Sequence, residues 1–219
     1  MYRFLALAII ALMLPATVQA QEIRTQPAAL SLFNSTEISS PNLSSFTNWS
    51  SVLRRFADVQ RIDATRCATM ASDRSCRLDD WEKIIANAKP LSHIEQLRLV
   101  NDRMNSKRYI VDPVNWGMND YWATVFEFLD RNGDCEDYAV SKYVTLRRLG
   151  WSVDSMRIVI LRDTKLNLNH AILAAYTEEG IYIGDNQVEE IEKASSIRHY
   201  KPIYSINENS WWLHRARAG

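Results

Sequence analysis

The chain has 219 residues, 47% of them hydrophobic, and its 26 basic and 26 acidic side chains leave no formal net charge. That length is enough for one domain with a full core, and the even charge gives no electrostatic ground for nucleic acid or an anionic membrane as a partner. Seven Trp and nine Tyr supply material for an aromatic core and an aromatic-lined cleft.

The first twenty residues, MYRFLALAIIALMLPATVQA, hold one early positive charge, Arg3, then an apolar run from Phe4 to Leu14. They close on Val18-Gln19-Ala20, a small-x-small pattern. This reads as a secretory signal peptide cut after Ala20, and the run is short for a membrane span. An uncleaved N-terminal anchor is the alternative. The mature chain, Gln21 to Gly219, then forms one domain. Three cysteines in an exported chain leave one unpaired. Cys67 and Cys76, in CATMASDRSC, are the natural disulfide in an oxidising compartment, so Cys135 is the free thiol.

Gln21 to Asn48 is rich in Ser, Asn, Thr and Pro and reads as an irregular lead-in. Helical spacing begins with Trp49, Val52, Leu53, Phe56 and Val59. Asp79 to Ala88 is a second helix. Ser92-His93-Ile94-Glu95 is a capping box after Pro90, and it starts a third helix with Ile94, Leu97, Val100 and Met104 on one face. Tyr121 to Leu129 is a fourth. The fifth opens in NGDCEDYA: Asn132-Gly133 breaks the chain, Asp134 is the N-cap, and Gly150 is the stop. Its stripe is Ala139, Tyr143, Leu146 and Leu149. The chain then changes character. Ser155 to Leu161, His170 to Tyr176 and Ile181 to Asp185 read as strands, with TEEG as a hairpin turn and one or two more strands between Val188 and Ile206. Helices first and antiparallel strands second make an α+β plan.

Three residues stand out together. Cys135 lies in the first turn of a helix, where the dipole and free backbone N–H groups favour an anion. His170 begins a strand, and Asp185 ends the next one. A hairpin sets His170 beside Asp185, and a helix start packed on its open end brings in the thiol. A cysteine nucleophile needs a base and a carboxylate to orient that base. Each residue also has a plainer reading, as a capping-region thiol, an edge histidine and a turn-forming Asp. Asp134, Glu136 and Asp137 crowd Cys135 with negative charge, which opposes the thiolate. Spacing alone leaves them either as first-turn acids favoured by the dipole or as oxygen ligands for a metal.

The stretches NGDCEDYAVSKYVTLRRLGW, NHAILAAY and IGDNQ, with VNDRMN, WGMNDYWAT and FEFL, resemble the bacterial transglutaminase-like cysteine proteinases, in particular the LapG-type periplasmic adhesin proteases. The resemblance runs from about Leu32 onward and departs at Val125, where proline is expected. It implies a papain/transglutaminase-like fold, N-terminal helices packed on an antiparallel β-sheet, with Cys135 as nucleophile, His170 as base and Asp185 as orienting carboxylate. It also implies Ca²⁺ held by Asp134, Glu136 and Asp137, with Asn115 or Asp120 as further donors. A hard ion with six to eight oxygen ligands suits such a cluster. The implied reaction is cleavage of a large surface adhesin in its N-terminal region at a di-alanine site, which disperses a biofilm. The implied partner is an inner-membrane cyclic di-GMP receptor that sequesters the protease. Two other activities use the same groove: acyl transfer to an amine, and non-catalytic peptide binding that Cys135→Ala leaves untouched.

Overall fold

Helical spacing in the first half and period-two alternation in the second produce an α+β architecture. The computed structural model describes residues 31–67 and 77–217. The expected signal peptide and the expected Cys67–Cys76 disulfide fall outside the described residues. In chain order, β1 (Ser35–Ser40) precedes α1 (Thr47–Cys67), α2 (Arg77–Ala88), α3 (His93–Asn105), the single turn α4 (Asp112–Asn115), α5 (Val125–Arg131) and α6 (Cys135–Arg148). The sheet continues through β2 (Met156–Asp163), β3 (Leu168–Thr177), β4 (Gly180–Gly184), β5 (Glu192–Lys193), β6 (Tyr200–Ile206) and β7 (Trp211–Ala216). Its strand order is β1-β7-β6-β2-β3-β4-β5, with every pairing antiparallel.

The sheet divides the core into two layers. On the helical side, Trp49, Trp81, Leu97, Met104, Phe126 and Tyr143 pack with Met156, Ile158, Leu173 and Ala175 from the strands. On the other side, Val159, Leu161, Ile172 and Ala174 are covered by Leu32, Ala194, Ile197 and Tyr200. Phe126 is fully buried. It stacks on Phe56 at 5.6 Å and meets Trp81 edge-on at 5.4 Å. Phe126→Ala is expected to cost about 3–5 kcal/mol, measured as the drop in unfolding free energy in a urea titration.

Local signals place α3 and α6. Ser92 caps α3 and exchanges hydrogen bonds with Glu95. The start of α6 falls at Cys135, with Asp134 as N-cap. The Thr177 to Gly180 turn joins β3 to β4 as expected.

Three expectations are corrected. The lead-in is not wholly irregular, because β1 pairs with β7 at the end of the chain. Glu37 on β1 bonds Arg157 at 2.7 Å, and the Arg157 guanidinium lies 3.6 Å over the Trp212 ring. His214 is buried between the Ser35 and Ser205 hydroxyls, at 2.8 and 2.9 Å. The first helix is longer than Trp49 to Val59, running from Thr47 to Cys67. The fourth helix begins at Val125 and not at Tyr121. The Tyr121 and Ala123 amides donate instead to the Asp112 and Asp137 carboxylates, which holds Tyr121 to Thr124 out of the helix. Val125 therefore occupies the first helical position, where proline is also tolerated.

Candidate active site and acidic cluster

α6 begins where the chain has just left α5 through Asn132, whose positive φ of 65° ends that helix. Gly133 follows because nothing larger fits: a Cβ there would lie 2.1 Å from Asp137 Oδ2. The Asp134 N–H donates to the same carboxylate at 3.3 Å. Gly133→Ala is therefore expected to displace the Asp137 carboxylate and to cost about 1–3 kcal/mol, measured by thermal unfolding.

The Cys135 thiol is half-buried and donates to Glu136 Oε2 at 3.0 Å. Burial pushes the thiol up from its ordinary range, as do the Glu136 and Asp134 charges, while the Ala171 backbone N–H on the sulfur opposes them. The Ala171 N–H that acts on the sulfur belongs to the residue that follows His170. His170 and Asp185 are both buried, and His170 Nε2 meets Asp185 Oδ1 at 2.8 Å. Asp185 also accepts from the Tyr200 hydroxyl and from the Gln187 N–H at 2.9 Å. Burial pushes the Asp185 carboxyl up, but the His170 bond and charge, with the Tyr200 and Gln187 bonds, outweigh it and hold the group below its usual value. The structure therefore joins His170 to Asp185 side chain to side chain, and the link from Cys135 to this pair runs through the electrostatic effect of the Ala171 N–H.

The acids around Cys135 form a cluster wider than expected from sequence. Asp112, Asp134 and Asp137 bring oxygens within 4.8 Å of one another, as do Asp112, Asp120 and Glu136. Asp112, Asp134 and Asp137 are buried. Burial, then the Glu136 and Asp112 charges, pushes Asp134 up to about 8. Burial pushes Asp137 up to about 9, against the hydrogen bond from the Ala123 N–H. Burial likewise raises Asp112 and Glu136. Asp112 Oδ1 and Asp134 Oδ1 are buried with no hydrogen-bond partner. Orphaned carboxylate oxygens converging at one point fit a hard cation with several oxygen ligands. The Asn115 side-chain N–H donates to the Asn132 carbonyl and its backbone carbonyl accepts from Arg131, and neither bond uses its side-chain oxygen.

Sequence reasoning missed Asp112 and Tyr200. Asp112 had one available signal, an acid between Val111 and Pro113 in the loop that also carries Asp120. Tyr200 had none. Trp122 is a core residue, buried and bonded to Asp120 Oδ1 at 3.1 Å.

Comparison with known proteins gives a consistent picture. A family model described as bacterial transglutaminase-like cysteine proteinase matches residues 65–216. The calcium-bound structure of Legionella pneumophila LapG is similar at 33% identity and TM-score 0.60, covering 72% of this chain and 87% of that one. The EGTA-treated structure of the same protein is similar at 33% identity and TM-score 0.61, covering 74% and 87%. No protein with a curated description matches. With a cysteine at a helix start, a His–Asp pair at the strand ends and this family match, the chain belongs to the bacterial transglutaminase-like cysteine proteinases, as a member of the LapG type.

Proposed function

We propose that this proteinase is a calcium-dependent periplasmic cysteine endopeptidase that cuts a large surface adhesin in its N-terminal region at a di-alanine site, releasing the adhesin and dispersing a biofilm. The observation that carries the catalytic reading is the His170–Asp185 pair, next in the chain to the Ala171 N–H that acts on the Cys135 thiol. In this reading Cys135 attacks the scissile carbonyl. Asp185 holds His170 through Nε2, which leaves Nδ1 to take the thiol proton and later return it to the leaving amine. The Cys135 backbone N–H, at the first helical position, has no intrahelical acceptor and is the natural oxyanion donor.

Asp112, Asp120, Asp134, Glu136 and Asp137 would hold the Ca²⁺. The ion supplies positive charge that offsets the acids around Cys135. The related calcium-bound and EGTA-treated structures support that ligand class. The apo form is then folded but weakly active. The apolar leader Phe4 to Leu14 supports export to the periplasm. Among the described residues no helix is long and apolar enough to cross a membrane. An inner-membrane cyclic di-GMP receptor that withholds the protease is the partner this reading assigns.

Product chemistry tests the reaction type. The protein is incubated with an adhesin N-terminal fragment and an excess of a primary amine, and the products are weighed by mass spectrometry. A free carboxyl terminus at the cut is expected. An amide formed with the added amine as the sole product would instead assign acyl transfer.

A further inference from the structure

Lys142 is the one lysine on α6, and seven residues, two helical turns, separate it from Cys135 on the same helix. The two therefore share a face. Its side chain is almost wholly buried, at 1% exposure, and its Nζ has no hydrogen-bond partner. Lysine is rarely buried without a partner, because an ammonium gives up strong hydration on leaving water. Gly184 makes room for it: a Cβ there would lie 3.6 Å from Lys142 Cδ and 3.4 Å from Asn101 Oδ1. The residue after Gly184 is Asp185. Asn105 on α3 ties the same segment, its side-chain amide donating to the Asp185 carbonyl at 2.7 Å. Asn101 Oδ1 and Asn105 Oδ1 are themselves buried without partners.

We propose that Lys142 is a positioning residue for the His170–Asp185 pair, its buried ammonium acting as the counter-charge that keeps Asp185 ionised and seated against His170 Nε2. The inference rests on the Cys135–His170–Asp185 reading above and goes beyond it. Burial pulls the Lys142 amine down to about 7, with the Asp185 charge opposing that pull. The charge is thus present on the acid side of neutrality and lost above it.

The other groups facing this region are few. From α6 itself there is Tyr138, whose ring lies 5.9 Å from Nζ. From α3 come only the neutral Asn101 and Asn105; its charged residues Glu95, Arg98, Asp102 and Arg103 are exposed. Beside His170 stand Asp185 at the end of β4 and Tyr200 of β6, with Asp163 of β2 acting on Tyr200. Asp185 is the anion that acts on Lys142.

The test does not depend on knowing the substrate. Full-length protein with calcium is alkylated with iodoacetamide across pH, and the rate at Cys135 is read by mass spectrometry of its peptide. His170→Ala identifies which limb of the profile belongs to the imidazole. Lys142→Met keeps the length of the stem and removes the charge. Loss of a nearby positive charge favours the imidazolium, so that limb is expected to move to higher pH by about one unit. The melting temperature should stay at or above that of the unsubstituted protein, and Lys142→Arg should bring the limb back. A folded Lys142→Met protein with an unmoved limb overturns the proposal and leaves the triad reading standing. A profile that ignores both His170→Ala and Asp185→Asn removes the triad reading, and this proposal with it. Should Lys142→Met fail to fold, carbon-13 NMR of the unsubstituted protein decides. A step at the Lys142 Cε mirrored in the His170 ring supports the coupling, and two independent single-site curves overturn it.

Discussion

Cys135→Ala is expected to lower peptide cleavage by on the order of ten-thousandfold or more, since losing the nucleophile of a catalytic unit costs that much or more in kcat. The protein should remain folded, because the thiol is half-buried and its hydrogen bond to Glu136 is local. His170→Ala should fall nearly as far, and the double variant little further, because the two groups act as a unit. Asp185→Asn is the more informative change. It preserves shape but offers an amide where His170 Nε2 now meets a carboxylate, so the ring takes the wrong tautomer. A loss approaching ten-thousandfold is expected, with KM little changed, from initial rates over a range of substrate concentrations. A small loss for Asp185→Asn would assign the orientation of His170 to Tyr200 or the backbone instead.

Removing calcium is expected to have the second largest effect, and pH should reveal its cause. Asp134 and Asp137 are held up at about 8 and about 9, from an ordinary 3.8. An acid raised in the folded state binds a proton there that the unfolded chain has already lost. The metal-free protein should therefore be most stable near pH 4 to 5 and should lose stability as pH rises toward 8 and 9. On the proposed reading calcium binds the ionised cluster and reverses that cost, so its stabilising effect should grow with pH. At roughly a thousandfold excess over Kd it is worth about 4 kcal/mol, or roughly 8–16 °C of melting temperature for a chain this size. Differential scanning calorimetry with calcium and with EGTA at pH 5 and pH 8 makes the comparison. A calcium shift that is equal at both pH values would mean that the ion binds outside this cluster.

What the sequence reveals here follows the range of the interaction. The α3 start was legible because Ser92 and Glu95 cap each other within one turn. The α6 start was legible because Gly133, Asp134 and Asp137 act within five residues. β1 was not, because its partner strand lies at the far end of the chain and pairs Ser35 with Ala216. A polar six-residue segment carries no strand signal until that edge exists. The fourth helix starts later than its sequence pattern for a related reason. The pattern of Tyr121 to Leu129 is helical, yet the carboxylates of Asp112 and Asp137 capture two of its amides. The acidic trio beside Cys135 could be read directly. Asp112 joins it only through the fold, and so does the Tyr200 hydroxyl on Asp185.

The most direct test is cleavage of an adhesin N-terminal fragment carrying a di-alanine site, using purified residues 21–219. Three reactions are run side by side: with calcium, with a calcium chelator, and with Cys135→Ala in calcium. A cut in the first that disappears in the other two is the expected result, and it ties nucleophile and metal to one helix start. A cut that survives the chelator would return the acids to a capping role. A cut that survives Cys135→Ala would contradict the account at its centre.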